Sequence, residues 1–285
     1  MKLNFKEAYQ VLAKNPHITL LMVIYLLIMV SLLPILFVQK AEISFYFVLF
    51  LMFALTSAFF AGWFGMIKAC VLSNQDDDTE ESLIKRYECF KVDFFASIPC
   101  YILSIGFFIL MSAGVFYGIS ILGDYLFGRE DEVITQLATV MNSKSALENF
   151  LSTLPPETVN RFFKKVLYSY GCYLSYLFLI IYITPSLYFN KTKNPLIAIK
   201  NGLLGIIKKP FGTVLFFVLL LIMHGFITTL EAVSIINQVL MFLSLVLRIC
   251  FIAYAIVLIF LVYEKNFAFD NNNGSDRLGE NSSCN

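Results

Sequence analysis

The stretch Asn194–Val218, NPLIAIKNGLLGIIKKPFGTVLFFV, decides how this chain is read. Its first half places Leu196, Ile199, Leu203 and Ile206 on one helical face. Asn194, Asn201 and Lys208 form the other, with Ala198 and Gly205 between. That pattern predicts a short helix lying in a membrane surface. Pro210 then opens an apolar run long enough to cross a bilayer, proline being well tolerated in a first helical turn. Residues 1–17 repeat the plan, with Phe5, Ala8, Tyr9 and Leu12 opposite Lys6, Gln10 and Lys14, and Glu81–Phe95 repeats it without the proline.

Composition points the same way. Of 285 residues 59% are hydrophobic and 14% charged, with a mean hydropathy of +0.76, against about 45–50% and 25% in soluble domains. Lys and Arg (21) nearly cancel Asp and Glu (20), so no basic surface recommends nucleic acid as a partner. No cysteine falls in a segment assigned to the outside, so no disulfide framework is implied. With only His17 and His224 and no CxxC spacing, neither a zinc site nor another cofactor is expected.

The expected fold is all-α: one polytopic domain over 1–265, its six transmembrane helices arranged as three hairpins with cytoplasmic amphipathic helices. The spans read as about 18–38, 43–72, 94–125, 166–189, 211–236 and 239–263. The first is too long for a signal peptide and is followed by no cleavage site. Pro34, Pro99 and Pro185 are expected to interrupt three spans. Ser57, Ala61, Gly65 and Ala69 form a four-residue stripe, and Gly114 and Gly118 a GxxxG pair; both are read as helix-packing faces. Tyr168, Tyr170, Tyr173 and Tyr176 read as an interfacial aromatic belt.

Between the third and fourth spans lies an external hydrophilic insert, 128–165, read as two amphipathic helices separated by Pro155-Pro156. The acids at 76–81 read as a solvated loop rather than a metal site. The tail 266–285 is expected to be disordered and cytoplasmic. Its DNNNGSD is no EF-hand, because Phe269 would occupy the first ligand position.

Six spans place both termini on one side. With the N-terminus inside, the inner segments hold Lys2, Lys6, Lys14, Lys68, Lys85, Arg86, Lys91, the lysines of 191–209, Lys265 and Arg277. The outer ones hold Lys40, Arg129, Lys144, Arg161, Lys164 and Lys165. That bias predicts cytoplasmic termini. The segments FKEAYQVLAKNP and ITPSLYF…NPLIAIKNGLLGIIKKPFG resemble those of an uncharacterised family of six-span bacterial inner-membrane proteins. That family is related to the membrane domain attached to glycerophosphodiester phosphodiesterases. The resemblance implies a bacterial cytoplasmic membrane and brings no catalytic residues, the phosphodiesterase barrel being a separate domain.

Ionisable groups within spans cost about 2.5–3.5 kcal/mol unless paired, and four call for an explanation: His224, Glu231, Arg248 and Asp124. Folding the last hairpin about Asn237-Gln238 sets Arg248 opposite residue 227, within one turn of His224 and Glu231. An ion pair of Glu231 with Arg248 is expected there, with His224 beneath. It reads as a structural lock, a pocket for an anionic or amphiphilic ligand, or a proton relay. No hydrolase, metalloprotease or nucleotide-binding motif occurs. The expected function is non-enzymatic: a lipid- or envelope-associated protein, or a membrane partner of another protein or of a second copy. The alternative is a transporter whose site is the His224/Glu231/Arg248 region.

Overall fold

The computed structural model describes residues 5–38, 42–73, 80–129, 149–150, 152–234 and 238–268. Among them there is no strand, and six helices are long and apolar enough to cross a membrane. The chain is an all-α, multi-pass membrane protein.

In order the helices are α1 (Phe5–Lys14), α2 (His17–Val38), α3 (Glu42–Ser73), α4 (Glu80–Phe127), α5 (Pro156–Ile180), α6 (Ile183–Phe189), α7 (Pro195–Lys208), α8 (Pro210–Ser234) and α9 (Gln238–Tyr263). A π-helical turn, Glu264–Ala268, extends α9. Local chemistry explains several boundaries. Asn15 donates its side-chain amide to the Val11 carbonyl at 2.8 Å and, with Pro16, separates α1 from α2. Asn194 caps α7 by accepting from the Leu196 amide at 2.9 Å, and Pro195 supplies the first turn. Past the end of α6, Lys191 turns the chain with a φ of 48°.

The described residues group into two compact units, one within 1–109 and 179–285 and the other within 110–178. In the first, the core gathers at the end that carries α1 and α7. Trp63, Met66, Ile67, Tyr182, Leu187, Tyr188, Phe216, Phe260 and Leu261 are fully buried there. Trp63 donates its indole N–H to the Ile18 carbonyl at 3.0 Å. Tyr188, packed against Tyr101, Phe64 and Phe260, donates its hydroxyl to the Ala61 carbonyl at 2.7 Å. Toward the other end the hairpins α2/α3 and α8/α9 expose large apolar side chains, among them Leu27, Val30, Phe47, Phe50, Phe242 and Leu243, as surfaces solvated by lipid do.

The stripe on α3 packs as a small-residue face. Ser57, Ala61 and Gly65 are buried; Gly65 meets the Ser97 side chain, and Gly106 approaches Ser57. Gly114 and Gly118 differ from expectation. Both are exposed, with nothing within 4 Å of where a Cβ would stand. In the second unit the contact between α4 and α5 runs along another side of α4, through Ser112, Phe116, Gly123 and Asp124.

Other boundaries also move. Glu80–Phe127 is one helix of 48 residues, so the expected surface helix 81–91 and the third span are continuous. At about 1.5 Å per residue α4 is more than twice the length that about 30 Å of hydrocarbon requires. The fourth span begins at Pro156, which starts α5, and Val159, Phe162 and Phe163 belong to it rather than to a separate surface helix. The helix runs through Gly171 without a break until the chain turns at Ile181 and Tyr182. Pro34 and Pro99 sit inside unbroken helices. Asn266, Phe267 and Ala268 are part of the π-helical turn, and Phe267 is buried. The remainder of the expected tail, the acidic run 76–79, the first insert helix and Asn237 lie outside the described residues.

Candidate functional site

The α8/α9 hairpin sets the depth of its polar groups. Glu231 follows His224 by seven residues, two helical turns, and so shares its face. Arg248 rises on the antiparallel partner helix. Its guanidinium forms an ion pair with Glu231 and donates to the Thr228 hydroxyl at 3.1 Å. Thr228 in turn donates to the His224 carbonyl at 3.0 Å. The His224 ring lies one turn nearer the start of α8, stacked on Phe251 with centroids 6.3 Å apart. The charges meet across the hairpin while the imidazole packs on an aromatic face beside them. The Nε atom of Arg248 is buried without an acceptor among the described residues.

Asp124 lies in the second unit, where Lys165 donates to it at 2.5 Å and to the Gly128 carbonyl at 3.4 Å. That ion pair joins the ends of α4 and α5, and Tyr176 and Ser112 share a hydrogen bond of 2.6 Å further along the same hairpin.

A second set of polar contacts, which spacing in the sequence does not disclose, clasps the α1/α7 end of the first unit. Lys265 pairs with Glu7, and Tyr254 donates to the Phe5 carbonyl at 3.2 Å, tying α1 to the end of α9. Lys209 donates to the Asn266 side chain at 3.2 Å and stands 5.5 Å from the Phe267 ring centre. Asn190 donates to the Tyr263 hydroxyl at 3.2 Å and to Ser186 at 3.1 Å. Ser104 donates to the Lys193 carbonyl at 2.5 Å. Lys68 interacts electrostatically with Asp93 and Lys191. The one available hint was composition: ITPSLYFN carries tyrosine, serine and asparagine where a plain span would carry aliphatics.

Among the described residues no three His, Cys, Asp or Glu side chains are placed to hold a metal ion. Cys172 and Cys250 are free thiols, whereas Cys100 is disulfide-bonded. That departs from the expectation of no disulfide framework, because contact at Cys100 depends on the fold and not on the segment it occupies.

The fold and these pairs define a six-span helical membrane protein with charges paired across its helices. Comparison with family models, curated proteins and solved structures finds no match.

Proposed function

We propose that this chain is a non-enzymatic multi-pass protein of a bacterial cytoplasmic membrane, lipid- or envelope-associated or the membrane partner of another protein. Both termini then face the cytoplasm, the side that lysine-rich segments favour. The observation that carries the reading is how charge is used. Arg248 is spent on Glu231, Lys165 on Asp124 and Lys265 on Glu7. Each pair joins two helices, so charge that is costly in lipid serves to lock the helices together. The resemblance to six-span inner-membrane proteins supports the same assignment.

One observation favours a second reading, a transporter-like protein with its substrate site near His224, Glu231 and Arg248. The Arg248 and Glu231 side chains keep 33% and 27% of their exposure, and the fourth span is broken at Ile181–Tyr182, as discontinuous transporter helices are.

A Thr228→Cys variant in sealed vesicles separates the two. A membrane-impermeant thiol reagent is expected to leave position 228 unmodified when lipid or a partner covers it. Modification from one side of the vesicle would reveal a water-filled path to the pair and replace the scaffold reading with transport.

A further inference from the structure

The exposed side of α7 differs from the one its sequence pattern suggests. Ala198, Gly202 and Gly205 turn inward, with Gly202 against the Ile183 backbone and Gly205 against Tyr182 and Phe267. The small residues let α7 lie close on α6, and this leaves aliphatic side chains on the outside. Leu196 is 64% exposed, Ile197 46%, Leu204 42% and Ile207 71%. At 100° per residue these four and Lys200 and Lys208 fall on one outward arc, Lys200 in its middle and Lys208 at its edge; both lysines are exposed. Phe211, at the start of α8, is 90% exposed and continues the surface.

Two further facts bear on what covers this face. The chain has no Asp or Glu from 158 to 230, while Lys191, Lys193, Lys200, Lys208 and Lys209 all fall within that interval. Only Lys209 separates α7 from α8, whose span begins at Pro210, so the helix is held at the level where a span leaves the hydrocarbon. Aliphatic side chains interleaved with lysines at that depth match a boundary between acyl chains and negatively charged headgroups: the aliphatics enter the first, and the lysine stems snorkel to the second.

We propose that the outward face of α7 is a binding surface for anionic phospholipid headgroups, with Lys200 and Lys208 as the recognition charges and Leu196, Ile197, Leu204 and Ile207 as the acyl contacts. The inference builds on the lipid-associated reading above and names its ligand class. The two are separable, since position 228 labelling decides that reading and lipid retention decides this one.

The test uses the full chain in a neutral detergent, with phosphatidylglycerol or phosphatidylcholine added and the bound lipid counted by native mass spectrometry. The wild-type protein is expected to retain phosphatidylglycerol in preference to phosphatidylcholine. Lys200→Ala/Lys208→Ala should lower phosphatidylglycerol retention by about tenfold or more at low salt, near the effect of two basic residues at an anionic surface, and leave phosphatidylcholine unchanged. Lys200→Arg/Lys208→Arg should keep the preference, and an unchanged elution volume and Trp63 emission identify variants that remain folded. Equal retention of the two lipids by wild type, or undiminished phosphatidylglycerol on the folded alanine variant, would overturn the proposal. So would displacement of the lipid by inorganic phosphate or by an acidic peptide, which would assign the face to a small anion or a protein partner.

Discussion

A Cβ on Gly202 would stand 2.9 Å from both the Cα and the amide nitrogen of Ile183. Backbone atoms cannot rotate aside as a side chain does, so Gly202→Ala must push α7 off α6. The expected loss is about 1–3 kcal/mol, the range for overpacking a tight contact, and thermal unfolding in detergent measures it. Gly114→Ala is the matched control. Nothing lies within 4 Å of its Cβ position, and alanine is the better helix former by about 1 kcal/mol, so stability should hold or rise slightly. Equal losses at the two sites would contradict the packing described. In the sequence these glycines look alike, each in an apolar setting at helical spacing. Spacing shows that a small face exists; it carries no information on whether another helix approaches it. The same limit applies to Tyr9, which belongs to the apolar stripe of α1 by spacing yet is 66% exposed, while Ala8 and Val11 are buried.

Between elements, hairpin geometry was the more legible part. Two antiparallel helices joined by a short turn have nearly equal depth at equal distance from it. That arithmetic places Arg248 beside residue 227, and its hydrogen bond goes to Thr228. Charge exchange tests the pair. Glu231→Arg or Arg248→Glu alone leaves two like charges facing each other in lipid, and the yield of monodisperse protein should fall sharply, each unpaired charge costing about 2.5–3.5 kcal/mol. The double exchange should recover most of that yield. A double variant no better than its parents would mean that the two groups do not hold the hairpin together. Helix ends were less legible where no breaker marks them. Residues 81–91 and 156–165 are polar enough to read as separate surface helices, yet α4 and α5 run straight through them. A helix already nucleated in lipid extends by one hydrogen bond per residue at little cost. The break at Ile181–Tyr182 carries no Gly or Pro at the break itself, and its side chains are satisfied by partners distant in sequence. Tyr182 lies 3.4 Å from the Thr213 hydroxyl and 5.1 Å from the Phe267 ring centre.

At the scale of the whole molecule, the first and last described helices belong together. Lys265 reaches Glu7 across 258 positions of sequence, and Tyr254 reaches Phe5. Reporter fusions at residue 1 and at residue 285 should therefore report the same side of the membrane. Opposite sides would require an odd number of crossings and contradict the six spans. The short-helix–proline–span plan occurs twice at this end, in α1–Pro16–α2 and in α7–Pro210–α8. Both short helices bury small residues inward, Ala8 in the first and Ala198, Gly202 and Gly205 in the second.

What the amino-acid sequence by itself determined was the solvent and the number of crossings. Hydropathy summed over about 20 residues is a local quantity, and the cost of leaving such a run in water does not depend on the rest of the fold. The tertiary structure alone decided which faces of those helices meet, where the fourth span breaks, and that the clasp of Glu7, Lys265, Lys209 and Asn266 closes one end. Lipid is as apolar as leucine, so hydrophobicity cannot choose among the faces of a spanning helix. The choice falls to small-residue fit and to a few polar bonds whose partners lie far apart along the chain.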